Sequence, residues 1–348
     1  YIINPLINIL TVKGNFPNGG FVVDTATHFV MGVSLGGLAL VDPVVYSSPE
    51  TAQCVLIATV IGSQIPDIDT VLKLKDNAIY IRNHRGLTHS LPAVVLWPLL
   101  ITITLSPFFS GANIFHLWLW TFLAVILHVF VDIFNAYGTQ AFRPFSSRWL
   151  ALGWINTFDP LIFISQVIAL LLWLFGYNPR IIFPTLFLLL IVYYFYRYFI
   201  RRSLIEQIKR RVPDSEKIIL CPTIRFFQWR FVVTSKDKFY VGRAFRKDIV
   251  IYDEFTRVPL PDHPIIKAAK EDKNVSAFLS FSPIYRWEIE ENRDFIEVHF
   301  IDLRYRSNNH YPFVAVVQLS RDLQILSSYT GWVYSKEKLQ KKLEFLPG

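Results

Sequence analysis

An eight-residue stretch carries the densest set of side chains that could do chemistry. The segment from Asn83 to Ser90, with the sequence NHRGLTHS, places His84, Arg85 and His89 directly before a long apolar run. By itself a close pair of histidines is only a weak indication of a metal site. Further His and Asp residues lie at the ends of neighbouring apolar segments, so the elements that carry those ends decide whether a single site forms.

Hydropathy divides the chain into two parts. Hydrophobic residues make up 52% of the 348 residues, and the mean hydropathy is +0.35, which is high for a soluble protein. Long apolar stretches occupy residues 24–200, whereas charged residues come every few positions after Arg201. This pattern predicts a membrane-embedded domain over residues 24–212 and a soluble domain over 213–348, preceded by a weakly ordered leader over 1–23. We also expect the biological start near Val23.

Six apolar segments are predicted to cross the membrane as helices. They are His28–Tyr46, Thr51–Pro66, Leu91–Phe109, Ile114–Phe134, Leu161–Phe175 and Ile181–Ile200. In the first segment Gly32, Gly36 and Gly37 would allow close helix packing.

The placement of Lys and Arg predicts the orientation of these spans. Basic residues follow the second, fourth and sixth segments, whereas the other three connections contain only Arg180. Since cytoplasmic loops carry the excess of Lys and Arg, both long loops and the C-terminal domain should face the cytoplasm of a bacterial cell. The net charge of +8 is explained by these flanking residues, so no nucleic-acid partner is expected.

The C-terminal part has the pattern of a small antiparallel β domain. Predicted strands, rich in aromatic and β-branched residues, are Phe226–Val233, Lys238–Phe245, Asp248–Tyr252, Tyr285–Glu290, Phe295–Tyr305, Phe313–Leu319 and Ile325–Tyr334. Lys336–Phe345 is a candidate terminal helix. Cys54 and Cys221 are far apart and form neither a disulfide framework nor a CxxC metal motif.

The predicted topology brings seven candidate metal ligands to one side of the membrane. His28 opens the first span, Asp67 and Asp69 close the second, and His128 and Asp132 share a helix face near the cytoplasmic end of the fourth. With the pair from the opening stretch, the full set is His28, Asp67, Asp69, His84, His89, His128 and Asp132. The side of the membrane on which each residue lies was assigned from Lys and Arg counts and not from the identity of the residue itself. The placement of all seven candidates on the same side is therefore independent support for a single site.

A mixture of His and carboxylate ligands suits zinc, or manganese and iron if more oxygens bind. Seven candidates exceed one tetrahedral site, so one or two ions are expected, and paired ions suit phosphoester hydrolysis. Asp67 or Asp69 could take the proton from the attacking water. Arg85 could neutralise a substrate phosphate or orient a carboxylate.

Each candidate also has a purely structural interpretation. His128 and Asp132 could pair with each other, although ionisable groups inside apolar segments are usually functional. Asp67 and Asp69 could belong to a turn, and His28 could be an interfacial residue. Asp159 is expected to cap the fifth helix. Histidines outside the set are His116, which falls at the opposite end of the fourth span, and His263, His299 and His310 in the soluble domain.

Four motifs together resemble the YdjM-like family of bacterial membrane-bound, metal-dependent hydrolases. They are DTATH (24–28), PDID (66–69), HRGLTHS (84–90) and HVFVD (128–132), and they extend over less than half of the chain. The longer chain with a β-rich tail is similar to the YfhP-like branch of that family. A more distant resemblance links the ligand pattern to zinc-dependent phospholipase C and implies phosphoester hydrolysis.

The sequence thus predicts a polytopic α-helical membrane protein of about six spans with a cytoplasmic antiparallel β domain. Its predicted function is metal-dependent hydrolysis of a phosphoester, with a membrane lipid as environment and candidate substrate. One alternative is a regulatory or scaffold protein with a structural metal site, whose β domain binds a protein partner. A transporter is the other alternative, but the ligands gather at one face and not at the bilayer midplane.

Overall fold

A helical region precedes two antiparallel sheets in the computed structural model, which describes residues 19–307 and 309–344. The helices of the first region are α1 (Gly19–Leu38), α2 (Pro43–Ser47), α3 (Pro49–Gly62), α4 (Asn77–Asn83), α5 (Leu91–Leu105), α6 (Ile114–Phe134), α7 (Pro160–Leu174) and α8 (Pro179–Arg211). Short 3₁₀ segments lie at Ala39–Val41, Ile65–Leu74, Leu87–His89 and Ser106–Phe108. Each predicted apolar segment therefore contains a helix.

The first and last of these helices differ in extent from the predicted spans. α1 is described from Gly19 onward and so includes part of the stretch 1–23 predicted to be a leader, whereas residues 1–18 lie outside the described part. α8 continues past Ile200 to Arg211, since its last turns pack on the first sheet.

Among the described residues, three helices are long and apolar enough to cross a membrane: Leu91–Phe108, α6 and α8. A fourth candidate combines α3 with Ile65–Leu74, which are bent by 41° at their junction. The apolar helices Thr25–Val41 and α7 are shorter. The helical region thus has three to four candidate spans by length and composition, and the six-span topology stays a prediction.

Capping residues set the start of the helices that carry the site. Ser90 accepts a hydrogen bond from the Ala93 N–H at the start of α5, and Asn113 accepts one from His116 at the start of α6. Asp159 accepts from Leu161 and Ile162 at the start of α7, as predicted. Each cap satisfies N–H groups that the helix itself leaves open.

Close packing joins α1, α3 and α6 into the core of the helical region. A Cβ added at Gly32 would lie 2.9 Å from the Thr59 carbonyl oxygen, and one at Gly36 would lie 2.8 Å from Thr59 Oγ1. The predicted small face of the first helix is therefore confirmed for these two glycines. Gly37 instead faces the Phe183 ring of α8.

The C-terminal part contains two four-stranded antiparallel sheets, each with its strands in sequence order. The first sheet is formed by β1 (Lys217–Pro222), β2 (Gln228–Thr234), β3 (Lys238–Phe245) and β4 (Asp248–Thr256). The second sheet is formed by β5 (Tyr285–Glu291), β6 (Phe295–Asp302), β7 (Phe313–Ser320) and β8 (Ile325–Trp332). Helices α9 (Pro264–Glu271), α10 (Lys273–Phe281) and α11 (Lys336–Glu344) accompany the second sheet.

Strand β1 and helices α9 and α10 are additions to the predicted β domain. The two helices cover one face of the second sheet, where Ile266 and Phe278 pack with Val298 and Val317. Val232 and Leu303 belong to a cluster that joins the two sheets. The predicted terminal helix corresponds to α11.

Candidate metal centre

Helix α6 presents one buried face to the interior, and the centre lies at the end of that face. Leu117, Thr121, Ala124 and Val125 are buried at helical spacing along it. His128 and Asp132 continue the stripe by one and two turns and are 0% and 1% exposed. The polar pair is therefore held on the core side of the helix and not toward lipid.

Four ligand-type atoms meet at this point: Asp67 Oδ1, His89 Nε2, His128 Nε2 and Asp132 Oδ2. His89 Nε2 lies 3.2 Å from His128 Nε2, 3.3 Å from Asp132 Oδ2 and 3.5 Å from Asp67 Oδ1. His128 Nε2 lies 3.5 Å from Asp132 Oδ2 and 3.7 Å from Asp67 Oδ1. A zinc tetrahedron with bonds of 2.0–2.2 Å has edges of about 3.3–3.6 Å, so these spacings fit one ion.

Hydrogen bonds orient the two imidazoles toward that point. His128 Nδ1 lies 2.7 Å from the Ser63 carbonyl oxygen, which can only accept, so Nδ1 carries the proton and Nε2 offers its lone pair. His89 Nδ1 lies 3.1 Å from Thr88 Oγ1. Complete burial lowers the pKa of His89 despite the neighbouring Asp132 carboxylate, which favours the neutral imidazole that binds metals.

Two carboxylate oxygens support the interpretation as a cation site. Asp67 Oδ1 and Asp132 Oδ2 are buried and have no hydrogen-bond partner among the described residues. An unpaired buried carboxylate oxygen is costly, and a cation between the four atoms would remove that cost. The residues present therefore fit a divalent metal, whose identity the geometry leaves open.

Asp69 has a different environment from Asp67. Its Oδ2 accepts hydrogen bonds from the Arg85 N–H at 2.9 Å and the Thr88 hydroxyl at 2.7 Å, and its Oδ1 lies 2.8 Å from His84 Nδ1. Both oxygens are thus engaged within the protein. Asp67, Asp69 and His84 also form a second group within metal-binding reach of one another, and Asp67 belongs to both groups.

Arg85 and His28 flank the other oxygen of Asp132. Arg85 Nη2 lies 3.1 Å from Asp132 Oδ1, and His28 Nε2 lies 3.5 Å from the same oxygen. The His28 ring stacks on His128 with centroids 3.9 Å apart. His28 belongs to neither group of ligand atoms, and Arg85 contacts a carboxylate, which matches the second of its two predicted roles.

The remaining candidates lie where the sequence placed them. His116 is at the far end of α6, with its Nδ1 2.5 Å from Asp42 Oδ2. Asp159 caps α7 and accepts a hydrogen bond from the Tyr193 hydroxyl at 2.7 Å. Two contacts were not predicted from the sequence. One is the Ser63 carbonyl that accepts from His128, which no sequence pattern reveals. The other is Thr88, inside the opening motif, whose hydroxyl links Asp69 to His89.

A small cavity adjoins the centre on the α7 side. It holds about 20 Å³ of water-accessible space, enough for roughly one water molecule, and its lining includes His28, Asp132, Asn135 and Asp159. The surface of this cavity is mostly apolar, and it gives a solvent molecule room beside the Asp132 carboxylate.

Family models match successive parts of the chain. The model described as "YdjM inner membrane protein" matches residues 23–204, a range that contains all the residues of the candidate site. The chain belongs to this family. The "YfhP middle domain" model matches residues 213–255, and the "YfhP C-terminal alpha/beta plait domain" model matches residues 264–343.

A curated relative matches over nearly its whole length. It is "Uncharacterized protein YfhP" of Bacillus subtilis (strain 168), which is 57% identical over 323 residues, 92% of this chain and 99% of the relative. No solved structure matches the chain significantly. This membership and the apolar helices make the chain a membrane protein, while the distant resemblance to zinc-dependent phospholipase C stays a prediction.

Proposed function

We propose that this chain is a membrane-bound metal-dependent hydrolase that acts on a phosphoester, with a phospholipid headgroup as the substrate class. The observation that carries the proposal is the convergence of Asp67 Oδ1, His89 Nε2, His128 Nε2 and Asp132 Oδ2 at spacings that fit one ion. A bound divalent metal would activate water and stabilise charge on a phosphoryl oxygen.

The chain's own residues would prepare this chemistry. Ser63 and Thr88 hold the two imidazoles in place, and Arg85 holds the Asp132 carboxylate. Asp67 is shared by the two ligand groups, as a carboxylate that bridges two ions would be. In the second group Asp69 and His84 supply the remaining ligands, and three ligands leave a position for water or substrate.

A specific observation favours the structural alternative. The four atoms of the first group would by themselves complete a tetrahedron, and structural zinc sites are closed in this way. A regulatory or scaffold protein would then hold one metal for stability and use its sheets to bind a partner. The number of ions per chain separates the two hypotheses.

The proposed location is a bacterial cytoplasmic membrane, with the site and the sheets on the cytoplasmic side of six spans. Lys273 Nζ of the soluble part lies 2.6 Å from Asp76 Oδ2, so α4 and the sheets are on the same side. α5 leaves that side and α6 returns to it. If α8 also ends on the side where the sheets lie, α7 must cross the membrane in the opposite direction. This requirement supports a membrane crossing by the short helix α7.

The decisive experiment measures metal content and hydrolysis on the same detergent-purified protein. We expect one or two equivalents of zinc, manganese or iron in the wild type and hydrolysis of a phospholipid or phosphodiester panel. His128→Ala should lose both properties. His116→Ala is the matched control, because His116 is on the same helix, is also paired with an aspartate and lies at the other end.

Two outcomes contradict the proposal in different ways. If the wild type contains no stoichiometric metal, or if His128→Ala contains as much metal as the wild type, the proposed metal site is wrong. One tightly held ion with no hydrolysis of any panel member favours the structural alternative.

A further inference from the structure

The segment Ile65–Leu74 has two faces of opposite character. Asp67 and Asp69 point inward to the centre, with side chains 9% and 4% exposed. On the other side Ile68, Val71 and Leu74 are 52%, 63% and 89% exposed. The short helix that supplies two carboxylates therefore turns an apolar edge outward.

Further exposed apolar residues lie beside this edge. Leu87 is 64% exposed in the segment that connects to His89, and the Ile65–Leu74 segment contacts that 3₁₀ turn. Phe142 and Phe145 are 52% and 86% exposed. Their loop joins the same region because the Leu91 N–H donates to the Arg143 carbonyl oxygen at 3.3 Å. We call these residues the apolar patch: Ile68, Val71, Leu74, Leu87, Phe142 and Phe145.

The patch is continuous with the lipid-facing side of a candidate span. α5 begins at Leu91, directly after the site segment, and its exposed large apolar residues are Leu91, Val95, Leu96, Leu99, Leu100 and Ile103. An apolar surface that leads into the outer face of a span lies at the boundary between hydrocarbon and headgroups.

The charges around the patch complement anionic headgroups. Lys73, Lys75 and Arg82 are exposed and follow the apolar edge along the chain, and Arg148 is exposed after the phenylalanine loop. The acidic side chains of the same region turn toward the protein, where Asp67 and Asp69 meet the histidines. Apolar residues interleaved with exposed cations are typical of surfaces that lie in a membrane interface.

We propose that the apolar patch lies in the headgroup region of the bilayer, and that a membrane lipid with an anionic headgroup moves laterally along it toward the centre. The second half of this inference rests on the proposed function. The patch would hold the lipid at the depth of the centre without lifting it out of the membrane. A phosphoester dissolved in water would not need the patch.

Spin labels test the location of the apolar patch in the bilayer, and this measurement does not depend on hydrolysis. Val71→Cys and Leu74→Cys carry a nitroxide in the full chain, reconstituted in nanodiscs with a 3:1 ratio of phosphatidylcholine to phosphatidylglycerol. Leu326→Cys is the control, because Leu326 is an apolar residue of β8 and is 51% exposed. Cys54 and Cys221 are buried, and labelled wild type measures their background.

We expect the nitroxides at positions 71 and 74 to be more accessible to oxygen than to a water-soluble nickel chelate. The nitroxide at position 326 should be more accessible to the nickel chelate. Equal accessibility of all three to the nickel chelate overturns the location of the patch.

Charged substitutions test the lateral route. Leu74→Asp should lower hydrolysis of phosphatidylglycerol in vesicles at least tenfold, with metal content and hydrolysis of bis(p-nitrophenyl) phosphate unchanged. Leu326→Asp should change neither activity. Equal loss of both activities in Leu74→Asp overturns the route, and so does a wild-type preference for phosphatidylcholine vesicles. A wild type that hydrolyses neither substrate overturns the route together with the proposed function, and the spin labels then decide the location alone.

Discussion

Asp132 divides its two oxygens between different tasks. Oδ1 lies near the Arg85 guanidinium and His28, whereas Oδ2 lies between His89 and His128 and accepts no hydrogen bond from the residues that the structure describes. A carboxylate held by one oxygen presents the other at a defined position. Asp69 contrasts with it, because both of its oxygens are engaged by neighbouring groups of the protein. We therefore infer that Asp132 and Asp67 bind the ion of the first group, and that Asp69 supports this ion through Thr88 and His89 while it stays a candidate ligand of the second group.

This difference predicts unequal effects of two isosteric substitutions. Asp69→Asn should weaken metal affinity about 10–100-fold, as the loss of a supporting hydrogen-bond partner does. Asp67→Asn should abolish stoichiometric binding, because it removes an anionic ligand. Competition with a chromogenic zinc chelator measures both affinities. Tighter binding by Asp67→Asn than by Asp69→Asn would contradict this division of roles.

Helix α4 connects the metal centre to the second sheet. Its N-cap Asp76 pairs with Lys273, the Asn77 side chain donates to the Thr330 carbonyl oxygen, and Ile81 packs against the core of the second sheet. The helix ends at Asn83, and Arg85 follows with a positive φ of 57°. The C-terminal sheet domain therefore supports the segment that carries His84 and Arg85.

Gly331 provides a test of this contact. It has a φ of 142°, and an added Cβ would lie 2.7 Å from Asn77 Nδ2 and 2.8 Å from the Tyr329 hydroxyl. Gly331→Ala should therefore lower thermal stability and metal affinity. Gly176→Ala is the matched control, because Gly176 also has a positive φ, 86°, but nothing within 4 Å of the added atom.

We expect Gly176→Ala to cost only the backbone strain of about 1–2 kcal/mol and to leave metal affinity unchanged. Thermal unfolding in detergent and zinc titration measure both quantities. Equal metal affinity in the two variants would show that α4 does not transmit support to the centre.

Helix α8 joins the membrane region to the soluble part as one continuous element. Its 33 residues extend about 50 Å at 1.5 Å per residue, more than the hydrocarbon core of about 30 Å requires. Leu204, Ile208 and Val212 at its far end pack with Trp229 and Phe231 of the first sheet. The first sheet is thereby held against the last turns of this helix.

The proposed topology predicts which positions a membrane-impermeant thiol reagent reaches. Lys75→Cys and Leu326→Cys should be labelled only from the cytoplasmic side, and Tyr177→Cys, between α7 and α8, only from outside. Labelling of intact cells against inverted vesicles measures this. Labelling of Tyr177→Cys from the cytoplasmic side would contradict the prediction that α7 crosses the membrane.

Metal removal should affect the stability of the whole chain. An ion that binds only the folded state adds about 2.7 kcal/mol at a concentration 100 times its Kd. We expect a chelator to lower the melting temperature of the wild type and of His116→Ala, and to leave that of His128→Ala unchanged. Differential scanning fluorimetry in detergent measures these shifts. An equal shift in His128→Ala would place the stabilising ion elsewhere.

Sequence periodicity and composition were sufficient for the local elements. The bounds of α6 and β3 agree with the prediction, because a long apolar run and an alternating strand each depend on neighbours along the chain. Strand β1 and helices α9 and α10 were missed. The short amphipathic helices obtain their stability from packing on the second sheet, a contact between distant residues that local propensity does not contain.

By itself the sequence predicted a set of candidate ligands, six of which fall in the two groups of ligand atoms and one of which, His28, does not, and it predicted that helices would bring them together. It could not determine their separate tasks. Whether a carboxylate oxygen is left without a donor, as in Asp67, or is engaged on both sides, as in Asp69, depends on groups far away in the chain and on backbone atoms such as the Ser63 carbonyl. Tertiary structure decided this, because hydrogen bonds form according to position in space.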